Sequence, residues 1–214
     1  MESNKQDVLL LRQVVSPEIL EVLTEYALLK TQTKPNRYKN TDALKNVHRE
    51  YGDPLMEILL RRLTPIVEQA LGCALWPTLS FYYTYQKGHQ LLPHRDRSSC
   101  QIVAGLCIGA DDDFKTKEGS WPLWLKVEEK SVRYEVQYGD LLIFRGHTTE
   151  HWREPFSGEW FISAIFGFVE QNGPLAFQKY DQRAALGLPH VGMFRWTWGC
   201  IKSRLQQVGI GLRS

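Results

Sequence analysis

Two kinds of hydrophobic periodicity divide this chain near residue 76. Before it, apolar residues recur at intervals of three and four, the spacing that gathers side chains on one face of a helix. Ser16, Pro17 and Glu18 form a start signal: a capping hydroxyl, a proline where a missing N–H costs nothing, and an acid at the positive end of the helix dipole. Ile19, Val22, Leu23, Tyr26 and Ala27 then predict a buried face. A second helix is predicted to open at Asp53-Pro54, with Met56, Leu59, Leu60, Leu63, Val67 and Leu71 as its buried stripe. Pro65 should kink or restart it after Thr64, and Gly72 should end it. Between the helices, residues 31–51 turn polar (Lys34, Pro35, Asn36, Arg37, Lys39, Asn40) and predict a loop, either a solvated connection or a basic lid.

From Trp76 the alternation shortens to two residues. Strands are predicted at 78–86, 91–96, 101–108, 121–127, 132–136, 140–145, a short segment at His151, and 160–169. Glu128-Glu129-Lys130 and Gln137-Tyr138-Gly139 supply turns between them. Many short strands of this kind predict an all-β sandwich or barrel. The chain after Gly173 carries an aromatic cluster, Met193, Phe194, Trp196 and Trp198, beside Arg195, Lys202 and Arg204. It is expected to cap the barrel as a helix, with a substrate-covering flap or a dimer contact as alternatives.

Composition narrows the function. The 214 residues, 43% of them hydrophobic, suffice for one full core, so a single domain is expected: residues 1–75 as helical support, 76–172 as the β core and 173–214 as an extension. The 26 basic and 24 acidic residues leave a formal charge of +2, which argues against a nucleic-acid surface as the dominant feature. No apolar run is long enough to span a bilayer, and the first seven residues do not resemble a secretory signal. Cys73, Cys100, Cys107 and Cys200 show no paired spacing, as expected of reduced, packed thiols in a cytoplasmic protein.

The candidate chemistry lies in residues 82–96, where an aromatic strand, a turn at Gly88 and a second extended run deliver His94 and Asp96. On a strand, positions i and i+2 face the same side, so imidazole and carboxylate converge. About fifty-five residues on, the Gly139-Asp140 turn, an apolar strand and a turn at Gly146 lead to His147 and His151, either of which can return to the same point. Two histidines and one carboxylate leave adjacent coordination positions open, the arrangement of non-haem Fe(II) oxygenases.

Tyr85, Gly88, the His94/Asp96 pair, the Gly139-Asp140 turn and His151-Trp152-Arg153 together resemble the Fe(II)/2-oxoglutarate-dependent oxygenases, in particular the prolyl-hydroxylase-like branch, over about residues 76–170. The resemblance implies a double-stranded β-helix, or jelly roll, buttressed by the N-terminal helices. It implies His94, Asp96 and His151 as metal ligands, His151 being preferred to His147 because Trp-Arg follows it and His147 abuts a glycine turn. His89 is then a loop or supporting histidine, and His48 and His190 are ordinary polar residues outside the β region.

The implied cofactors are Fe(II), 2-oxoglutarate as cosubstrate, and O2; the implied reaction is hydroxylation of an unactivated C–H bond with loss of CO2 and succinate. Asp96 in place of Ala or Gly argues against the related halogenases. One position departs from the family: Phe161 stands where a basic residue commonly holds the distal carboxylate of 2-oxoglutarate, although Ser163 matches the family's serine. Arg153, two residues beyond His151 and so facing the same way, is the first replacement, Arg145 the second, and Tyr85 can add a hydroxyl. The alternative for Arg153 is a surface or structural arginine paired with Glu154 or Glu159. Trp121, Trp124 and Trp152 are candidates for an apolar mouth. An amino acid, a peptide side chain or a small natural product all fit as substrate. A cupin-like metalloenzyme without 2-oxoglutarate and a non-catalytic jelly-roll binding module are the competing readings.

Overall fold

The computed structural model describes residues 8–33 and 43–188. The elements, in chain order, are β1 (Val8–Leu11), α1 (Pro17–Thr33), β2 (His48–Tyr51), α2 (Pro54–Leu71), β3 (Leu75–Gln86), β4 (Leu91–His94), β5 (Ile102–Ala110) and α3 (Asp112–Lys117). They continue with β6 (Leu123–Val127), β7 (Lys130–Tyr134), β8 (Leu141–Phe144), β9 (His151–Arg153) and β10 (Trp160–Glu170). The strands form two antiparallel sheets: a large one in the order β1-β8-β5-β10-β3-β2, and a small one in the order β4-β9-β6-β7. No helix among the described residues is long and apolar enough to cross a membrane.

Alternation along the central strands builds two cores from one sheet. On β5, Ile102, Ala104, Leu106 and Ile108 face α1 and α2, whereas Val103 and Cys107 face the small sheet. On β8, Leu141 and Ile143 take the helix side and Leu142 and Phe144 the other. Both faces are covered, so these strands read as continuous apolar runs. The space between the sheets holds the residues that matter for chemistry.

The two helices form where they are expected, with corrections. Asp53 caps α2 by accepting from the Leu55 N–H at 3.0 Å, and Gly72 ends it in the left-handed conformation. The helix continues through Pro65 without a break. The buried face of α1 is Leu20, Leu23 and Ala27, whereas Ile19 and Val22 are 48% and 60% exposed, so the expected stripe is rotated towards solvent. Residues 31–51 are not one loop: α1 runs to Thr33, and His48 opens β2, which pairs with β3 from Thr84 to Phe81. His48 is therefore buried in the β region, contrary to expectation. The segment before residue 76 also contributes β1 at the opposite edge of the sheet. The candidate lid residues 34–40, His190, Cys200 and the aromatic cluster around 193–204 lie outside the described residues.

Two turns carry out what their residues promise. Glu128 and Glu129 join β6 to β7 as a two-residue loop with φ of 47° and 62°, the left-handed pair whose twist matches a hairpin. Gly139 (φ 86°) leaves room for the Val15 carbonyl, which a Cβ would meet at 2.5 Å. Its own carbonyl accepts from the N–H groups of Val14 and Val15, and Asp140 binds Arg12 at 2.6 Å. The Gly139-Asp140 turn thus anchors the N-terminal segment and contributes no ligand.

The segment after β10 is held by a buried ion pair. Arg183 donates to Glu57 on α2 at 2.6 Å and to the Thr78 carbonyl at 3.0 Å, and the Gly187 N–H donates to the second Glu57 oxygen. Both residues are buried, so removing one strands the other charge. Arg183→Leu should lower unfolding stability by about 3–5 kcal/mol in urea titrations; a loss under about 1 kcal/mol would show that the pair is not what holds this segment.

Candidate metal centre

The pairing of β4 with β9 sets His94 directly opposite His151, and their rings lie 4.2 Å apart centre to centre. Asp96 follows two residues after His94. Its carboxylate reaches both rings: Oδ1 is 3.5 Å from His94 Nε2 and Oδ2 is 3.7 Å from His151 Nε2. One ligand atom from each residue lies within 4.8 Å of the others, and this is the metal-competent group among the described residues.

The tautomers are fixed from outside the group. His94 Nδ1 lies 2.9 Å from the Leu92 carbonyl and His151 Nδ1 3.0 Å from the Thr149 carbonyl. A carbonyl can only accept, so each Nδ1 carries its proton and each Nε2 turns a lone pair inward. Asp96 Oδ2 is buried and has no hydrogen-bond partner among the described residues, an arrangement that is costly unless a cation satisfies it. Two inward lone pairs and an orphaned carboxylate oxygen fit a divalent metal.

Electrostatics separate the two histidines. Burial acts to lower His94, but the adjacent Asp96 carboxylate outweighs it and raises the imidazole above its ordinary value. His151 is more deeply enclosed, and burial lowers it despite the same carboxylate. His147 stands apart: its Nδ1 lies 3.2 Å from the Gln101 carbonyl, and it is not in the ligand group. His89 accepts from the Gln86 N–H at 3.0 Å and closes the turn between β3 and β4.

A cavity of about 70 Å³ adjoins His94, Asp96 and His151. That volume exceeds the roughly 15 Å³ needed for one water. Tyr85, Arg153 and Ser163 all line it, with Tyr83, Leu91 and Cys107. Arg153 sits opposite Leu91 on the same face of β9 as His151. Arg153 is 8% exposed, and its guanidinium lies 4.9 Å from the Trp121 ring and 5.2 Å from the Phe161 ring and donates to the Trp121 carbonyl. It forms no ion pair among the described residues, with Glu154 and Glu159 included. Burial lowers its pKa, and burial also pushes the Tyr85 phenol up to about 12 although the nearby guanidinium acts to lower it. Phe161, which breaks the expected pattern, supports the cation instead of replacing it.

Three expectations need correction. Arg145 pairs with Glu170 at 3.3 Å and does not line the cavity. Trp152 alternates with His151 and Arg153, so it faces away from the metal group and stacks on Trp124 at 6.0 Å on the outer side of the small sheet. Trp121 is buried against Tyr85, Phe156 and Phe161, and lines no mouth. Tyr83 was not singled out, although its place two residues before Tyr85 on β3 gives it the same face.

Comparison with solved structures follows the geometry. A prolyl hydroxylase from Trichoplax adhaerens, in complex with a peptide fragment of the hypoxia inducible factor oxygen degradation domain, is 13% identical with a TM-score of 0.62, covering 85% of this chain and 89% of that one. This chain shares the fold of 2-oxoglutarate–Fe(II) oxygenases. The non-heme alpha ketoglutarate dependent epimerase SnoN from nogalamycin biosynthesis has the same oxygenase fold, at 11% identity and a TM-score of 0.64, covering 86% and 88%. So does HygX from Streptomyces hygroscopicus with nickel and 2-oxoglutarate bound, at 11% identity and a TM-score of 0.59, covering 78% and 84%. No protein-family model and no curated protein matches the sequence.

The geometry makes a ranking testable. His94→Ala and His151→Ala should each abolish stoichiometric Co(II) binding measured by calorimetry, whereas His147→Ala should retain it. Loss of binding in the His147 variant with retention in the His151 variant would mean that the distal ligand is misassigned.

Proposed function

We propose that this protein is an Fe(II)- and 2-oxoglutarate-dependent dioxygenase that hydroxylates an unactivated C–H bond of an amino acid, a peptide side chain or a small natural product. The two sheets are read as a double-stranded β-helix, with the metal held between them near one end. The observation that carries the reading is the pairing, in one cavity, of a metal-competent triad with a buried guanidinium that meets no anion among the described residues.

The residues divide the work. His94 Nε2, Asp96 and His151 Nε2 would hold the metal, each imidazole kept in register by a backbone carbonyl. Three protein ligands leave room for a chelating cosubstrate and a gas molecule. With iron, 2-oxoglutarate and O2 bound, the centre supplies the oxidising power that no side chain here possesses. Arg153 would take the far carboxylate of the diacid, since a buried cation repays its desolvation only when an anion meets it. Tyr85 and Ser163 bring hydroxyls to the same wall, and buried Tyr85 stays protonated as a donor. Leu91, Leu123, Val136, Leu142 and Phe144 make the remaining lining apolar and limit the entry of water.

Hydroxylation is the proposed outcome. The epimerase and the prolyl hydroxylase named above show that one fold serves several outcomes, so the cofactor is the broader inference and the reaction the narrower one.

Adding 2-oxoglutarate to the anaerobic Fe(II) protein should produce a weak visible charge-transfer band; iron-loaded protein without that band would favour a metalloenzyme that does not use the cosubstrate. Arg153→Met should weaken 2-oxoglutarate binding to the metal-loaded protein about 100-fold, the order found when one partner of a buried charge pair is truncated. Metal affinity should be unchanged. Equal 2-oxoglutarate affinity in the two proteins would remove Arg153 from the role.

A further inference from the structure

Gly146 stands one residue past Arg145, in the turn that leads from β8 to His151. It is buried, and its φ is not among the positive values that call for glycine. Any residue can adopt this backbone conformation. What excludes a side chain is space: a Cβ would lie 2.5 Å from Asp96 Oδ2, 2.6 Å from Val103 Cγ2 and 3.0 Å from the Cys100 carbonyl oxygen. Contacts under 3.0 Å are ones that real Cβ atoms essentially never show.

Two backbone hydrogen bonds zip the same turn to the segment carrying Asp96. The Asp96 N–H donates to the Gly146 carbonyl at 2.9 Å, and the His147 N–H donates to the Cys100 carbonyl at 3.1 Å. The oxygen that a side chain would strike, Oδ2, is the buried one without a hydrogen-bond partner among the described residues, and it faces His151 Nε2 at 3.7 Å. Gly146 therefore meets the carboxylate from both directions, holding its backbone by a hydrogen bond and leaving its Oδ2 a bare Cα to rest against. The chain then runs directly to Thr149, whose carbonyl orients His151.

From this geometry we infer that Gly146 is a positioning residue for the metal centre: its missing side chain sets where the Asp96 carboxylate lies and ties the Asp96 and His151 segments into one unit. The inference rests on the metal reading above. It assigns the glycine a role at the centre and not merely in the turn.

The test titrates Co(II) alone into the full-length protein, followed by its d–d absorption and by calorimetry, with thermal melting of the metal-free protein recorded in parallel. Gly146→Ala should bind Co(II) roughly 10–100-fold more weakly, the usual cost of disturbing groups that orient metal ligands. The d–d envelope should also change, because the carboxylate is displaced. Gly146→Ala/Val103→Ala removes the collision with the valine methyl and keeps the one with Oδ2, so it should recover melting temperature without recovering affinity. It also decides the matter if the single variant does not fold. Wild-type affinity and spectrum in either folded variant overturns the inference. A crystal structure of the wild-type Co(II) form should show Oδ2 against the Gly146 Cα; an Asp96 carboxylate turned away from it also overturns the inference. Absence of Co(II) binding by the wild-type protein would instead sink the metal reading itself.

Discussion

The antiparallel register between β4 and β9 is the constraint on which the rest of the site depends. These strands are only four and three residues long, yet their pairing sets His94 against His151 across the ladder and, past a register shift on β4, Leu91 against Arg153. A slip of one residue would turn His151 and Arg153 outward and bring Trp152 in. The register is therefore held from several sides. Leu125 and Trp124 on β6 pair with His151 and Trp152, the Trp124–Trp152 stack lies on the outer face, and Arg153 rests against the edge-to-face pair of Trp121 and Phe161 on the inner one. Short strands hold a ligand set in place because larger elements surround them.

Charge placement gives that geometry its chemical direction. An acid at one end of the cavity faces two inward lone pairs, and a guanidinium at the other end has aromatic rings but, among the described residues, no carboxylate for company. Each end alone would be costly to bury. Together they describe a cavity that is completed by a cation and an anion, and the i, i+2 spacing of His151 and Arg153 sets their backbones one strand repeat apart, roughly 7 Å. The proposed cosubstrate meets both demands with one molecule. Phe161 supplies a ring under Arg153, so the cation enters from β9 and not from β10.

Much of this was legible in the residues. The change from helical to strand periodicity near Trp76, the caps at Asp53 and Gly72, the eight strands from β3 to β10 and the convergence of His94 with Asp96 all follow from local spacing and chemistry. Arg153 was legible by the same alternation, and that alternation also tells against Trp152 at the mouth, since it lies between two inward residues. Other features depend on partners distant in sequence. β1 and β2 are four-residue edge strands whose residues carry little signal without β8 and β3 beside them. The true face of α1 is decided by where the sheet lies, which leaves Ile19 and Val22 in solvent. Gly146 looked like an ordinary turn residue, because the space it preserves belongs to a carboxylate fifty residues earlier.

The central claim is that His94, Asp96 and His151 bind one metal ion together. X-ray absorption spectroscopy of the Fe(II)-loaded protein tests it most directly, because the multiple-scattering pattern of imidazole counts histidine ligands independently of turnover. The account predicts two imidazoles and a shell of oxygen ligands around a single iron. A spectrum that requires one imidazole or none would contradict it.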